Sequence, residues 1–228
     1  MNKIFIEAES VETPEYNFIK TILDKFFQGK QYEIIPMGGV EKLFGDFITN
    51  KIKEADIEGS QVLVLIDADT IEKNHGSEER KNWIEEEMKK SNVLFPYFIY
   101  PNNGDVEILI ESTAQKDLHK TFFNCFEKYE MCISGEIDAS GQSKYNTPNR
   151  KGKLHTYMTA QKLSNNQRKR LGKGNWMFDN LNYWNLDVEN LQPLKDFFTK
   201  HLKKTLASVF LFPNHFLQIQ NKGNGYEN

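Results

Sequence analysis

The sequence is poor in cysteine, and this shortage excludes disulfide-stapled and zinc-ribbon proteins. Only two of its 228 residues are cysteines. Cys125 and Cys132 lie in a segment with helical spacing, which separates them by about 10 Å along a helix axis, too far for a disulfide. They also lack the Cys-x-x-Cys spacing of a zinc site, so we expect two buried free thiols.

Long apolar runs are also missing. No stretch approaches the roughly 18 apolar residues that cross a bilayer, and residues 1–7 lack the apolar core of a secretory signal. With 39% hydrophobic and 13% aromatic residues, the composition is nevertheless that of a folded chain. The sequence therefore predicts a cytoplasmic protein that makes no membrane contact.

Acidic residues are absent from one long segment. Residues 139–178 contain nine Lys and Arg and no Asp or Glu, whereas residues 1–138 contain 15 Lys and Arg against 27 Asp and Glu. Aromatic side chains and one histidine, His155, are interleaved with these cations and can stack on bases. The segment therefore predicts a nucleic-acid-binding surface, although a solvated face that balances an acidic core is equally expected. The candidate contact residues are Arg150, Lys151, Lys153, Arg168, Lys169 and Arg170.

Several catalytic motifs are absent too. There is no GxxxxGK[ST] loop, no GxGxxG turn and no GxSxG elbow. A Ser-His-Asp hydrolase is therefore disfavoured. A small-molecule phosphate or nucleotide enzyme stays open as an alternative, but its phosphate site would be unconventional.

The hydrophobic pattern alternates between short β-rich runs and amphipathic helical stretches. A Thr13-Pro14 start predicts the first helix, and another helix is predicted around Glu79–Lys90. This order predicts an α/β fold with a mainly parallel four-stranded sheet and helices on both faces. Pro96 indicates that the last strand lies at an edge or carries a bulge. The predicted strands are Lys3–Glu7, Tyr32–Pro36, Gln61–Asp67 and Val93–Tyr100.

Residues beyond Pro101 are predicted to be helical. We divide the chain into an α/β core at 1–112, a helical C-terminal extension at 113–220 that carries the basic segment 139–178, and a flexible tail at 221–228. The extension is expected to contain helices at Lys116–Cys132, Lys153–Leu163 and Leu191–Ala207, with a basic loop at Ser164–Gly174.

Acidic residues follow two of the predicted strands. Glu7 ends the first strand and Asp67 the third, with Asp69 two positions later. The carboxyl ends of parallel strands meet at one edge of a sheet, so these carboxylates are expected to converge. Converging carboxylates repel one another unless some protonate or a hard cation such as Mg²⁺ neutralises them. The alternative is that these acids are merely solvated in loops.

This order of motifs, with Gly38-Gly39 after the second strand, resembles the TOPRIM domain of topoisomerases, primases and overcoming-lysogenisation-defect nucleases. The segment 101–107 is also similar to stand-alone TOPRIM-like bacterial and archaeal proteins. The resemblance covers residues 3–111 and implies a TOPRIM/Rossmann-like sheet. It departs from the family where Ala8 and Val11 replace a glycine and an acid, for which Glu12 or Glu15 are candidate substitutes.

The resemblance also implies roles for individual residues. Glu7 would coordinate metal or act as general acid or base, and Lys151 or Lys153 would steady the transition-state phosphate. The implied metal is Mg²⁺ or Mn²⁺, and Gly38 and Gly39 would let the backbone approach the site. The candidate metal ligands are Glu7, Asp67 and Asp69, with Asp105, Glu107 or Glu111 as a further acid.

Two functions follow as expectations. The first is a Mg²⁺-dependent nuclease-like phosphoryl-transfer protein acting on DNA or RNA, with phage defence or DNA repair as settings implied by the family. The second is a non-catalytic TOPRIM-like module that binds metal, nucleic acid or an ATPase partner. His75 is a further candidate for the site, whereas Trp83, Trp176 and Trp184 are expected to serve packing.

Overall fold

Four parallel strands form the sheet in the order β2-β1-β3-β4. The computed structural model describes residues 1–69, 76–102 and 104–202, so the predictions for His75 and the tail lie outside the described residues. The central strands are apolar on both faces, as expected for a sheet covered by helices. The strands are β1 Asn2–Ile6, β2 Tyr32–Pro36, β3 Gln61–Ile66 and β4 Tyr97–Ile99.

Helices cover both faces of this sheet, which confirms the predicted fold class. Ile4 and Ile6 of β1 point into a core shared with six helices, whereas Phe5 between them points into a second core shared with the other two. The first group is α1 Pro14–Phe26, α4 Val106–Thr113, α5 Lys120–Ser134, α6 Arg150–Thr159, α7 Asn165–Leu171 and α8 Gln192–His201. The second group is α2 Asp46–Ile57 and α3 Ser77–Ser91.

Helix α1 begins where the sequence predicts. The Thr13 side chain accepts a hydrogen bond from the Tyr16 amide, and Pro14 occupies the first helical position. The buried stripe of α1 packs against β1 and β3. This packing fixes the start of α1 above the carboxyl edge of the sheet.

Strand β4 is shorter than the predicted Val93–Tyr100. Pro96 has no amide hydrogen, and its carbonyl oxygen accepts the Val64 N–H at 3.1 Å immediately before the strand begins. The predicted edge position of this strand is confirmed.

The predicted basic loop Ser164–Gly174 is wrong, because most of it forms α7. Ser164 and Gln167 form a reciprocal capping box at its start, a signal that is visible in the sequence. The predicted burial of Cys125 and Cys132 is also wrong, since both are exposed free thiols on α5.

The C-terminal half packs on the same core as β1 and β3. Trp184 is fully buried, and its Nε1–H donates to the Trp176 carbonyl oxygen at 2.8 Å. Both tryptophans therefore serve packing, as predicted, and Trp83 is half-buried against Phe44. The proposed domain limit at residue 112 falls inside α4. Among the described residues, no helix combines the length and apolar character needed to cross a bilayer.

Candidate functional site

Glu7 lies at the carboxyl end of β1 and joins three segments of chain. Its Oε1 accepts the Val40 N–H and its Oε2 accepts the Asp67 N–H, both at 3.1 Å. Burial raises the pKa of Glu7, although these two backbone donors counteract part of the effect. Glu7 therefore fixes the loop after β2 and the end of β3 in one place.

Asp67 follows β3 and is held at the start of α4. Its Oδ1 accepts the Val106 N–H at 3.2 Å. Burial, followed by the nearby charges of Glu7, Glu107 and Asp105, raises the pKa of Asp67 to about 9. Asp67 is therefore neutral at pH 7 unless a cation compensates its charge.

The second residues of three helices also meet at this edge. Glu15 of α1, Glu107 of α4 and Lys151 of α6 each follow the first residue of their helix. The Lys151 ammonium forms an ion pair with Glu15 and lies 3.7 Å from Glu107 Oε1. Both glutamates are only 7% exposed, so the lysine provides the charge compensation that solvent cannot.

The pKa values of Glu107 and Glu15 are shifted in opposite directions. Burial, Asp105 and Glu15 raise the pKa of Glu107 to about 7. Burial acts in the same direction on Glu15, but the hydrogen bond and charge of Lys151, together with hydrogen bonds from the Glu15 amide and Thr13, outweigh it and lower that pKa. Glu107 is consequently the carboxyl group able to gain and lose a proton near neutral pH.

One cavity of about 200 Å³ is lined by Glu7, Glu15, Asp67, Glu107 and Lys151, together with Gly38 and Gly39. We call it the carboxylate cavity. Gly38 has a φ of +76°, a conformation that favours glycine, whereas Gly39 has a φ of −78° that any residue adopts. A Cβ on Gly39 would meet only the flexible side chain of Glu41. Of the two predicted glycines, only Gly38 is therefore required by the backbone.

Asp69 does not line this cavity. Its backbone is left-handed, with a φ of 57°, and its carboxylate forms an ion pair with the buried Arg80. Asp105 also faces a cation, since its Oδ1 lies 3.4 Å from Arg150 Nη1. The cavity thus brings together Glu7, Asp67 and Glu107 of the predicted metal ligands, and it adds Glu15.

The carboxylate oxygens suit the ligand preference of Mg²⁺, but they are engaged by protein donors. Within the described ranges, no group of three or more Asp, Glu, His or Cys side chains is arranged to hold a metal ion. As they stand, the carboxylates do not form a metal site, so an ion would bind only if side chains such as Asp67 and Lys151 rotate away from their present partners.

The cations of α6 are paired with acids. Lys153 Nζ lies 3.1 Å from Glu111 Oε1, and Arg150 Nε lies 3.0 Å from Glu111 Oε2. Lys153, a predicted catalytic residue, does not line the carboxylate cavity, whereas Lys151 does. Of these two lysines, Lys151 is therefore the one whose ammonium faces the acids of the cavity.

The remaining predicted contacts with nucleic acid lie on α7. Arg168, Lys169 and Arg170 are all exposed in its last turn, where cations also complement the helix dipole. Arg170 is linked to Asn175 at 3.2 Å and to Asp179 at 4.0 Å. These three cations line no wall of the carboxylate cavity.

Tyr100 is a buried residue near the acids of the cavity that sequence reasoning did not single out. It is buried at the end of the β4 segment, and burial followed by the charges of Asp67, Glu7 and Glu107 raises its pKa well above the ordinary value. Its phenol therefore stays protonated beside the acids. Its position as the last residue of an apolar run was the available signal.

Val11 and the two acids that follow it in the sequence, Glu12 and Glu15, lie in different surroundings. Val11 is 53% exposed and lines no part of the cavity. Glu15, one turn further along the chain, occupies the cavity wall instead. Glu12, the other candidate substitute, pairs with Lys173 at 2.8 Å outside it.

A larger cavity of about 780 Å³ lies on the other face of the sheet, between α2, α3 and residues 92–97. Its acids, Asp56 and Glu85, are accompanied by Lys53 and Lys89. Asp56 lies on α2 and Glu85 on α3, so this cavity does not gather a group of carboxylates as the smaller cavity does. Chemistry rather than size therefore selects the carboxylate cavity as the candidate site.

Comparisons of this chain with protein-family models, curated proteins and solved structures found no match. The TOPRIM resemblance therefore stays a prediction that rests on Glu7, the Gly38-Gly39 pair and Asp67-Ala68-Asp69. The function must be argued from the cavity itself.

Proposed function

We propose that the carboxylate cavity binds Mg²⁺ or Mn²⁺ and that the protein is a nuclease-like phosphoryl-transfer protein acting on nucleic acid. The observation that carries this proposal is the convergence of half-buried Glu7, half-buried Asp67 and buried Glu107 on one cavity at the carboxyl edge of a parallel sheet. Glu7 and Glu107 each raise the cost of ionising Asp67, and a divalent cation would remove that cost.

Asp67 and Glu107 are the residues that would hold the ion. Asp67 uses Oδ1 for the Val106 amide, and rotation would turn its other oxygen towards the cavity. Glu107 would exchange its ion pair with Lys151 for the metal. When bound, such an ion neutralises charge on a phosphate and lowers the pKa of coordinated water.

The side chains around the cavity would have different roles in the reaction. Lys151, released from Glu107, would bind a phosphate oxygen at the mouth of the cavity. Glu107, once it binds the ion, would be held in its ionised form, so its pKa of about 7 describes the metal-free cavity. Glu7 has both oxygens bonded to backbone amides, which favours a positioning role over direct proton transfer.

Metal binding is tested by thermal unfolding and calorimetric titration with Mg²⁺ and Mn²⁺. The wild type is compared with Asp67→Asn and with Asp117→Asn, a matched change at an exposed position. At a hundredfold excess over the dissociation constant, the ion should stabilise the wild type and Asp117→Asn by about 2.7 kcal/mol. Equal stabilisation of Asp67→Asn would contradict the assignment.

Catalysis is tested separately with single- and double-stranded DNA and RNA substrates. Cleavage should require the divalent ion and should be lost in Asp67→Asn. Cleavage that survives in this variant would remove the cavity from the reaction.

A non-catalytic module is the second candidate, favoured by one observation. Asp69, the second acid of the motif, is bound to Arg80 rather than directed into the cavity. Salt-dependent binding of nucleic acid without cleavage, or association with an ATPase partner, would support this alternative.

A further inference from the structure

A second cavity shares a wall with the carboxylate cavity. It has a volume of about 390 Å³ and lies between the start of α1, the start of α6 and the loop after α7. Lys151 lines both cavities. We call this second cavity the α6–α7 groove, and its other lining residues include Pro14, Gly152, His155, Leu171 and Trp176.

Backbone packing fixes one side of the groove. Gly174 has a φ of +68°, and a Cβ there would lie 2.6 Å from Thr13 Cα. The loop after α7 can therefore approach the start of α1 only because this residue has no side chain. The ion pair between Lys173 and Glu12 crosses the same junction. The groove wall is consequently a built feature rather than a gap between loosely packed loops.

The groove combines an apolar floor with a cation at one end. Leu171 and Trp176 are buried beneath it, and the exposed His155 ring lies 6.4 Å from the Trp176 ring between centroids. Such a surface suits a flat heteroaromatic ring, because bases stack on aromatic and imidazole side chains. The Lys151 ammonium suits an anion attached to that ring.

The sizes of the two cavities agree with a base in the groove and a phosphate in the carboxylate cavity. The groove, at about 390 Å³, falls within the ~300–1,000 Å³ typical of small-molecule sites, and the carboxylate cavity, at about 200 Å³, falls below that range. A phosphate with its ion fits the smaller space, and a nucleoside fits the larger one.

We propose that the α6–α7 groove binds the base of a nucleoside monophosphate whose phosphate reaches Lys151 and the carboxylate cavity. This inference rests on the proposed function, because the phosphate would enter the cavity that holds the ion. The ligand is either a free mononucleotide or the terminal nucleotide of a chain, which present the same chemistry to the groove.

The test is a set of calorimetric titrations with AMP, ribose 5-phosphate and a 5′-phosphorylated tetranucleotide of deoxyadenosine, each with and without Mg²⁺. The wild type is compared with His155→Ala and with Tyr145→Ala, which removes an exposed aromatic ring that lines neither cavity. The base should strengthen binding about tenfold, so AMP should bind about ten times more tightly than ribose 5-phosphate.

His155→Ala should bring these two affinities within about twofold of each other, while Tyr145→Ala keeps the tenfold difference. A tetranucleotide that binds at least as tightly as AMP assigns the groove to a chain end, and weaker binding assigns it to a free mononucleotide. AMP and ribose 5-phosphate binding equally to the wild type would overturn the inference.

The two proposals fail separately. If Mg²⁺ stabilises the wild type but not Asp67→Asn, and the base adds nothing to affinity, only the groove assignment is wrong. If Mg²⁺ does not bind, the proposed function fails, whatever the nucleotide titrations show.

Discussion

Replacing Asp67 with asparagine should change how the stability of the metal-free protein depends on pH. The pKa of Asp67 rises from 3.8 to about 9 in the folded protein. Between these values the native state binds one proton more than the unfolded state at this residue. Stability conferred by the protonated group is therefore lost as the pH rises through this window.

The magnitude follows from proton linkage. One extra bound proton changes the free energy of unfolding by about 1.4 kcal/mol per pH unit, so Asp67 removes about 2.7 kcal/mol between pH 5 and pH 7. Glu107, with a pKa of about 7, adds a loss of the same sign up to that pH. Glu15 and Glu111 have lowered pKa values, and their stabilisation is lost only at acidic pH, as the solution falls below their ordinary value of 4.5.

Asparagine keeps the oxygen that accepts the Val106 amide and cannot ionise. Asp67→Asn should therefore be more stable than the wild type at pH 7 and above, and its pH slope should be shallower by about 1.4 kcal/mol per unit. The measurement is urea denaturation in EDTA at pH 5, 6 and 7, followed by tryptophan fluorescence, with Asp117→Asn as the control. Parallel slopes for Asp67→Asn and the wild type would refute this account of the cavity.

Three further experiments test the packing of the core and the exposure of the cysteines. The buried Thr49 hydroxyl has no hydrogen-bond partner within the part of the chain that the structure describes, so Thr49→Val should raise the free energy of unfolding by about 1 kcal/mol in urea denaturation. Gly174→Ala should lower it by more than about 2 kcal/mol, because it adds a backbone clash, whereas Gly59→Ala, with a similar φ but open space, should cost about 1 kcal/mol. Both Cys125 and Cys132 should react with a maleimide in the folded protein, and mass spectrometry showing fewer than two adducts would contradict their exposure.

The sheet and the meeting of Glu7 with Asp67 were predictable because both depend on local patterns and a general rule of topology. Apolar runs located the strands, and parallel strands place their carboxyl ends at one edge. The start of α1 was equally visible, since Thr13 and Pro14 are a local capping signal.

The rest of the site depends on side-chain direction and on distant contacts. Lys151 and Lys153 are two positions apart on one helix, which turns them about 200° from each other, and the sequence does not tell which faces the acids. The backbone of Asp69 is left-handed and turns its side chain towards Arg80, and the sequence does not predict this conformation. The family pattern predicted that Asp69 and Asp67 line the same cavity. In the folded protein Asp67 lines it and Asp69 does not.

The ion pair between Lys151 and Glu15 joins residues 136 positions apart in the chain. Contacts of such separation form late, after the entropy of closing a long loop has been overcome. Until α6 docks, Glu15 and Glu107 face each other without their counter-ion, so partly assembled chains carry an electrostatic penalty that the complete fold removes. This arrangement favours an all-or-none transition, in which the acidic edge of the sheet and the last helices become ordered together.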